Sequence, residues 1–530
     1  MKPTRPLLSP VILFSLLPTF VQGATYTVRA GGGGDYTTIQ ACANAAAAGD
    51  TCQVSVGTYD ERVTVSSSGS AGRIISFIGG SGCSTPGTCP KARGFTVSSS
   101  NAYVSIDGFE ISQSGTSADT SPAFVVSGTD HVSILNNYVH DTCSGTTGKT
   151  GVSASGSSPK ATFTHISGNT FTNIGCPGNR LAIIGIWFDN ALIEYNDASH
   201  SSDFVNTMGH MNVIRHNAFH DFLESDTQSG NNHIDFWQTY CGGSNPAAEE
   251  GNRTLLEGNY QYAAEPTSTN SHFVIVNTSS SCGNSYNVIA RHNTGYHNGA
   301  AFYQADDSDK TDSYHKLYNN TVVSAYAVDH ISSTLSGVAH GSILNNIFYD
   351  AILNSSTYDG YRLNTDGHSN GDYNLGYMSS GPKTWSADMS TGAHNIVNRN
   401  PLFVDAAGNF DLQSSSPARG AGGPLTSVAA GDAGSGTSLV VADAAFFQPG
   451  WAGVKADWIR VGASTTAQIS SIDYSTNTIT LASGISRSQG DPVYLYKDSS
   501  GKVVLLGSTP DIGALQYEPA PPMNLTAISR

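Results

Sequence analysis

"IRHN", residues 214–217, is one copy of a phrase that organises the middle of the chain: an apolar residue, two variable residues, then asparagine. It returns as "ILNN" (134–137), "ISGN" (166–169), "IEYN" (193–196), "LEGN" (256–259), "ARHN" (290–293), "LYNN" (317–320) and "ILNN" (343–346). The asparagines are separated by 32, 27, 21, 42, 34, 27 and 26 residues, and repeats of this size signal units stacked one upon another. The uneven intervals predict loops of different length between short, constant strands. Such a coil pairs each strand with its equivalents one turn above and below, about 4.8 Å away. Its apolar positions stack into a continuous interior, and the asparagines stack at one turn and exchange side-chain amide hydrogen bonds. Asparagine also tolerates the left-handed conformation that a tight turn needs. One coil cannot bury its own face, so the repeats stabilise each other.

The rest of the composition fits an all-β chain. Glycine is abundant at 57 of 530 residues, charged residues make up 12%, and helical periodicity is scarce. Residues 1–23 read as a secretory signal: Lys2 and Arg5, the short apolar run "VILFSLL" (11–17), and the small-residue site "VQG" (21–23). That run is too short to span a bilayer, and no later segment approaches spanning length, so export without membrane insertion is expected, to a periplasmic or extracellular destination. Eight cysteines suit an oxidising compartment. Pairing near neighbours gives Cys42/Cys52, Cys83/Cys89, Cys143/Cys176 and Cys241/Cys282, one choice among 105 connectivities. No Cys-x-x-Cys spacing points to a metal. The formal charge of −16 disfavours nucleic acid and other polyanions. A neutral substrate, or an acidic one bridged by a cation, is easier to accommodate. A monomer is expected.

Three further stretches, added to the repeat, make the chain resemble the secreted right-handed parallel β-helices of the pectate-lyase-like superfamily, of bacterial type. "GGGGDYTTIQACANAAAAGDTCQVSVGTYDERVTV" (31–65) looks like the entry to such a helix, where a short amphipathic α-helix caps the open end. "NPLFVDAAGNFDLQSSSPARGAG" (400–422) and "PDIGALQY" (510–517) resemble its closing coils. The resemblance implies a right-handed parallel β-helix over residues 24–422, closed by a coil at 510–520 and followed by a tail at 521–530. Residues 423–509 interrupt the closing coils. Their alternating segments "DWIRVG", "AQISSIDYSTNTITLASG" and "DPVYLYKD" predict a small inserted β-module, placed at an end of the helix, on its flank, or against glycan. The superfamily includes lyases, hydrolases, esterases, epimerases and non-enzymatic fibres, so it implies fold more specifically than activity.

Candidate chemistry centres on "NNHIDFWQTY" (231–240), where His233, Asp235 and Trp237 alternate with Ile234 and Phe236. On a strand, residues two apart share a face. Laying "SDFVN" (202–206), "HFVIVN" (272–277) and "AFYQADD" (301–307) over "HIDFWQ" and aligning the terminal amides stacks Asn206, Gln238, Asn277 and Gln304. Phe204, Phe236, Ile275 and Phe302 then share the interior. The outward columns place Asp203 over Asp235, His233 beside His272, and Trp237 among Val205, Val276 and Tyr303, with Asp306 and Asp307 beyond. Two carboxylates one strand apart repel, raising one pKa or recruiting a cation. Tyr303 and Trp237 offer flat faces for sugar rings.

Glycoside hydrolysis is the favoured reading, with Asp235 or Asp203 protonating the leaving oxygen while a second carboxylate, Asp306 among the candidates, activates water. The Asn-Thr-Asp, Gly-His-Gly and Arg-Ile-Lys signatures of related polygalacturonases are absent. The alternatives are a polysaccharide lyase, for which the resemblance to lyase-like members of the superfamily implies Asp203, Asp235, Asp306 or Asp307 as calcium ligands, with His233 or His272 as a base tunable near neutral pH, and a glycan-binding protein without catalysis. Arg215, Glu257 and Arg291 fall on adjacent coils of another strand and predict an alternating ion ladder.

Overall fold

The computed structural model describes residues 23–514, apart from 114–118, 120, 145–146, 156–158, 224–232, 241–252, 264–269, 278–286, 297–300, 307–314, 325–326, 332–340, 352–359, 362, 365–369, 383, 386–391 and 452. Residues 1–22 of the expected signal segment, residues 515–530, Cys241, Cys282 and Asp307 therefore lie outside the described residues. The chain winds as a right-handed parallel β-helix with three parallel faces. The first sheet begins with Thr25–Val28 and ends at Asn370–Asp372, and the second runs from Lys91–Ala92 to Ile396–Val397. The third begins at Arg62–Val65 and includes Asp203–Met208, His233–Tyr240, Asn270–Asn277 and Ala301–Asp306.

Each position of the repeated phrase has its own physical task. The apolar residue opening it joins an interior column, Ile134–Ile166–Ile193–Ile214–Leu256–Ala290–Leu317–Ile343, paired coil to coil and at most 2% exposed. The second residue points outward. The third turns the chain in the left-handed region: Asn136, Gly168, Tyr195, His216, Gly258, His292, Asn319 and Asn345 all have φ between 50° and 67°. The fourth is the ladder asparagine. The left-handed residue is thus the one before the ladder asparagine, which is free to use its side chain for bonding.

The ladder runs through Asn137, Asn169, Asn196, Asn217, Asn259, Asn293, Asn320, Asn346, Asn374 and Asn395. Each Nδ2 donates to the next Oδ1 at 2.9–3.3 Å. Asn217 shows the unit. Its Nδ2 donates to the Ile193 carbonyl and to Asn259 Oδ1, and its Oδ1 accepts both the backbone N–H and the amide of Asn196. The ladder amides are therefore bonded to one another along the axis, which is what permits a polar column inside an apolar wall.

The ends are closed by different means. At the start, the helix Ile39–Ala45 covers the first coil with Ile39, Cys42 and Ala43, capped by Thr38 Oγ1 on the Ala41 N–H at 3.1 Å. Glu61, one coil on, accepts the Ile39 and Gln40 N–H groups at 2.7 and 3.1 Å, placing a carboxylate where the helix dipole favours one. Disulfides join Cys42–Cys52, Cys83–Cys89 and Cys143–Cys176. Near the other end, Phe403, Phe410, Ala418 and Ile512 pack with Tyr296, Val323, Ile347 and Leu375.

Residues 426–497 form a six-stranded antiparallel sheet. It packs on the helix flank, where Leu425, Val428, Phe446, Phe447, Val454 and Val504 cover Leu192, Val213, Leu255, Ile289 and Tyr318 of the first sheet. The outward residues of the repeated phrase lie beneath this cover.

Replacing Asn217 with alanine strands the buried Asn196 donors and the Ile193 carbonyl. The expected loss of unfolding free energy is on the order of 3 kcal/mol, given about 1–3 kcal/mol for each buried group left unpaired; denaturant unfolding of the purified chain measures it.

Candidate active site

The third sheet carries the strip singled out in the sequence. Phe204, Phe236, Phe273 and Phe302 stack through its interior, with centroids 5.2, 4.6 and 4.7 Å apart. This phenylalanine column sets the register. Asp203 pairs with Asp235, and Asp235 with His272, giving carboxylate, carboxylate and imidazole on three consecutive coils. Asp203 Oδ1 accepts the Asp235 backbone N–H at 3.1 Å, and His272 Nδ1 lies 3.0 Å from Asp235 Oδ1. Asp235 and His272 are buried, whereas Asp203 is half-buried. The Asp235 carboxylate thus orients the imidazole through Nδ1, and Asp203 stands nearest solvent.

Several expectations about this strip are corrected. Aligning Asn277 with Gln238 displaces the Asn270–Asn277 strand by two residues: Gln238 pairs with Ile275, and Asn277 with Tyr240 and Asp306. Phe273, not Ile275, continues the aromatic column. His272 consequently sits beside Asp235 rather than beside His233, whose backbone pairs with Asn270. Asp306 does not join the Asp235 column, which continues to Ala301; five residues along a strand is about 16 Å. Asp203, Asp235 and Asp306 therefore do not converge on a shared calcium. Trp237 is not an open face for a sugar. It is fully enclosed, its Nε1 donates to Thr207 Oγ1 at 2.9 Å, and Val205 and Val274 flank it. Tyr303 continues that column, paired with Val274.

No protein-family model matches the chain, and none of the curated proteins matches it. Solved structures similar to it include XylC in complex with xylose, at 13% identity over 93% of this chain and 98% of that one, with a TM-score of 0.45. Pectate lyase Pel9A is 14% identical over 76% of this chain and 92% of that one, with a TM-score of 0.41. A GH136 lacto-N-biosidase from Eubacterium ramulus is 10% identical over 60% and 67% of the two chains, with a TM-score of 0.37. All three values lie below 0.5. No helix among the described residues is long and apolar enough to cross a membrane.

Another histidine cluster, not anticipated from the sequence, lies on the second sheet. His220 donates from Nε2 to Asp197 Oδ1 at 2.7 Å and from Nδ1 to Asp221 Oδ2 at 2.9 Å. Burial pulls its pKa down, but the bonds to Asp197 and Asp221 outweigh burial and raise it to about 9. Both ring nitrogens are committed as donors, so this imidazolium has no lone pair with which to act as a base. A His raised above its ordinary value stabilises the fold fully below about pH 6.5 and loses that contribution as pH rises through about 9. Thermal midpoints of wild type and His220→Gln should accordingly differ most near pH 6 and converge above about pH 9.

Proposed function

We propose that the protein is an exported carbohydrate-active enzyme that cleaves a polysaccharide at the third sheet by glycoside hydrolysis. The observation that carries this reading is the Asp203–Asp235–His272 stack. Two carboxylates on adjacent coils stand about 4.8 Å apart at the backbone, near the roughly 5–5.5 Å separation used when hydrolysis retains configuration. Asp203, the member nearest solvent, is the carboxylate to meet the sugar. Asp235 holds His272 in one tautomer, and the pair manages the proton. Trp237 supports the strip from behind through Thr207. The formal charge of −16 favours a neutral glycan over a polyuronate, and the three disulfides suit an oxidising, extracytoplasmic destination.

β-Elimination is the second reading, and the Asp235–His272 pair favours it, because an imidazole backed by a carboxylate is a competent base for a carbon-bound proton. Product chemistry separates the two. Hydrolysis yields reducing ends without the ultraviolet absorbance of an unsaturated uronate, whereas elimination yields both.

On a panel of purified polysaccharides, wild type should release reducing ends, and Asp203→Asn and Asp235→Asn should each lower the rate by about 10²–10⁴-fold while circular dichroism stays unchanged. Activity equal to wild type in both variants removes the site assignment. Binding without product in wild type leaves a glycan-binding protein.

A further inference from the structure

Gln261 breaks the pattern of its own column. The interior column of the second sheet runs Ile111, Val139, Phe171, Ala198, Phe219, Gln261, Gly295, Val322 and Phe348, paired coil to coil. Every other member is apolar or glycine, and Gln261 is 0% exposed. The repeat by itself calls for a hydrophobic side chain here. Burying an amide is costly unless it is hydrogen-bonded, and departures of this kind from a consistent pattern concentrate at functional sites.

The bond that Gln261 makes crosses the interior of the helix. Its Nε2 donates to the backbone carbonyl of His272 at 3.1 Å, so the second sheet grips the third-sheet strand that carries the imidazole. One coil earlier the same position is Phe219, whose ring stacks on Phe204 with centroids 6.0 Å apart. One coil later it is Gly295, which has no side chain to send across. An apolar contact at the coil of Asp203 is thus replaced by a directional hydrogen bond at the coil that Asp235 opens, and it reaches forward to His272 on the next.

His272 is consequently held at both ends. Its Nδ1 lies 3.0 Å from Asp235 Oδ1, and its main chain is bonded by Gln261. Phe273, the next residue, is stacked between Phe236 and Phe302 at 4.6 and 4.7 Å. The peptide joining His272 to Phe273 is therefore fixed through its carbonyl and through the ring that follows. A tilt of that peptide turns the Cα–Cβ bond of His272 and moves the imidazole at its end; a displacement of about 1 Å is enough to cost on the order of 10²-fold in rate. Methionine or leucine at 261 would fill the column as its neighbours do, with no donor for the carbonyl.

We propose that Gln261 is a positioning residue for the Asp203–Asp235–His272 stack: from the interior of the second sheet, its amide sets the main chain at His272 so that the imidazole meets Asp235. Gln261 touches no substrate. Its kinetic consequence rests on the reading of the stack as the active site; its hold on the ring rests on geometry alone.

The test uses the full-length protein with Gln261→Met, which keeps the length of the side chain and loses the donor, and Gln261→Glu, whose carboxyl is kept protonated by burial at pH 6 and retains an O–H for the carbonyl. The first readout is the low-field Nδ1 proton resonance of His272 in protein carrying isotope-labelled histidine, assigned by its loss in His272→Gln; it requires no activity. The second is steady-state kinetics on a polysaccharide that the wild type cleaves. We expect Gln261→Met to shift or lose the resonance and to lower kcat by about 10- to 100-fold with KM within about twofold, and Gln261→Glu to restore both at pH 6. A folded Gln261→Met whose His272 resonance equals that of wild type overturns the proposal, even with a lower thermal midpoint, because Gln261 is then an ordinary part of the core. Should Gln261→Met not fold, a resonance in Gln261→Glu at pH 6 unlike that of wild type overturns it. A shifted resonance with unchanged kcat, or a wild type that cleaves nothing, instead removes the active-site reading and leaves the hold of Gln261 on His272 in place.

Discussion

The amide hydrogen bond from one ladder asparagine to the next is the constraint on which the remaining structure depends. It fixes the phase of every coil at one corner, because Asn217 can reach Asn259 and Asn196 only when all three stand in line. With the corner fixed, the interior column from Ile134 to Ile343 must stack, the outward residues must form columns of their own, and loops of unequal length are pushed to other corners. A side-chain network that is fully satisfied and buried gains from the low dielectric around it, whereas a half-satisfied one is costly. The ladder therefore specifies register as well as contributing stability.

The same phase-locking places charges. On the first sheet it lines up Glu194, Arg215, Glu257 and Arg291, an arrangement that would be a solvated surface ladder were it not covered. The module changes its meaning. Asp457 grips Arg291 with both oxygens, Ser499 bridges Arg215 and Glu257, and the Tyr318 hydroxyl donates to the Phe446 carbonyl at 2.9 Å. These are polar contacts across an apolar interface, and they give the module a specific seat, since a sliding sheet would leave buried charges unpaired. On the third sheet the phase brings together Asp203, Asp235 and His272, from segments that lie 32 and 37 residues apart.

Much of this was legible because the repeated phrase has four positions and each carries a different residue type. The apolar opening and closing asparagine name the fold, and the local cysteine pairs at 42/52, 83/89 and 143/176 match the observed bridges. The register of the strip was legible in the pairing of Asp203 with Asp235. It was misread where two signals competed. Aligning the amides Gln238 and Asn277 follows the logic of the asparagine ladder, yet Phe273 makes the better column, and burying an aromatic ring outweighs pairing an amide near the end of a strand. Trp237 shows a different limit: alternation tells which side of a strand a residue leaves from, not what lies over it. The same holds for Glu257 and Arg291, whose cover comes from residues more than a hundred positions later. The His220 cluster is not visible from the strip around 231–240, because Asp197 belongs to the previous coil and to the second sheet; the repeat, extended one face further, contains it.

The central claim is that the phase of the coils superposes Asp203 and Asp235. Paired cysteines test it directly, because neighbouring strands place Cα atoms at the separation a disulfide requires, about 4.4–6.8 Å. In protein secreted under oxidising conditions, mass spectrometry should find the bridge in Asp203→Cys/Asp235→Cys and not in Asp203→Cys/His233→Cys, which is offset by two residues. A bridge in the second pair and none in the first would contradict the register, and with it the site.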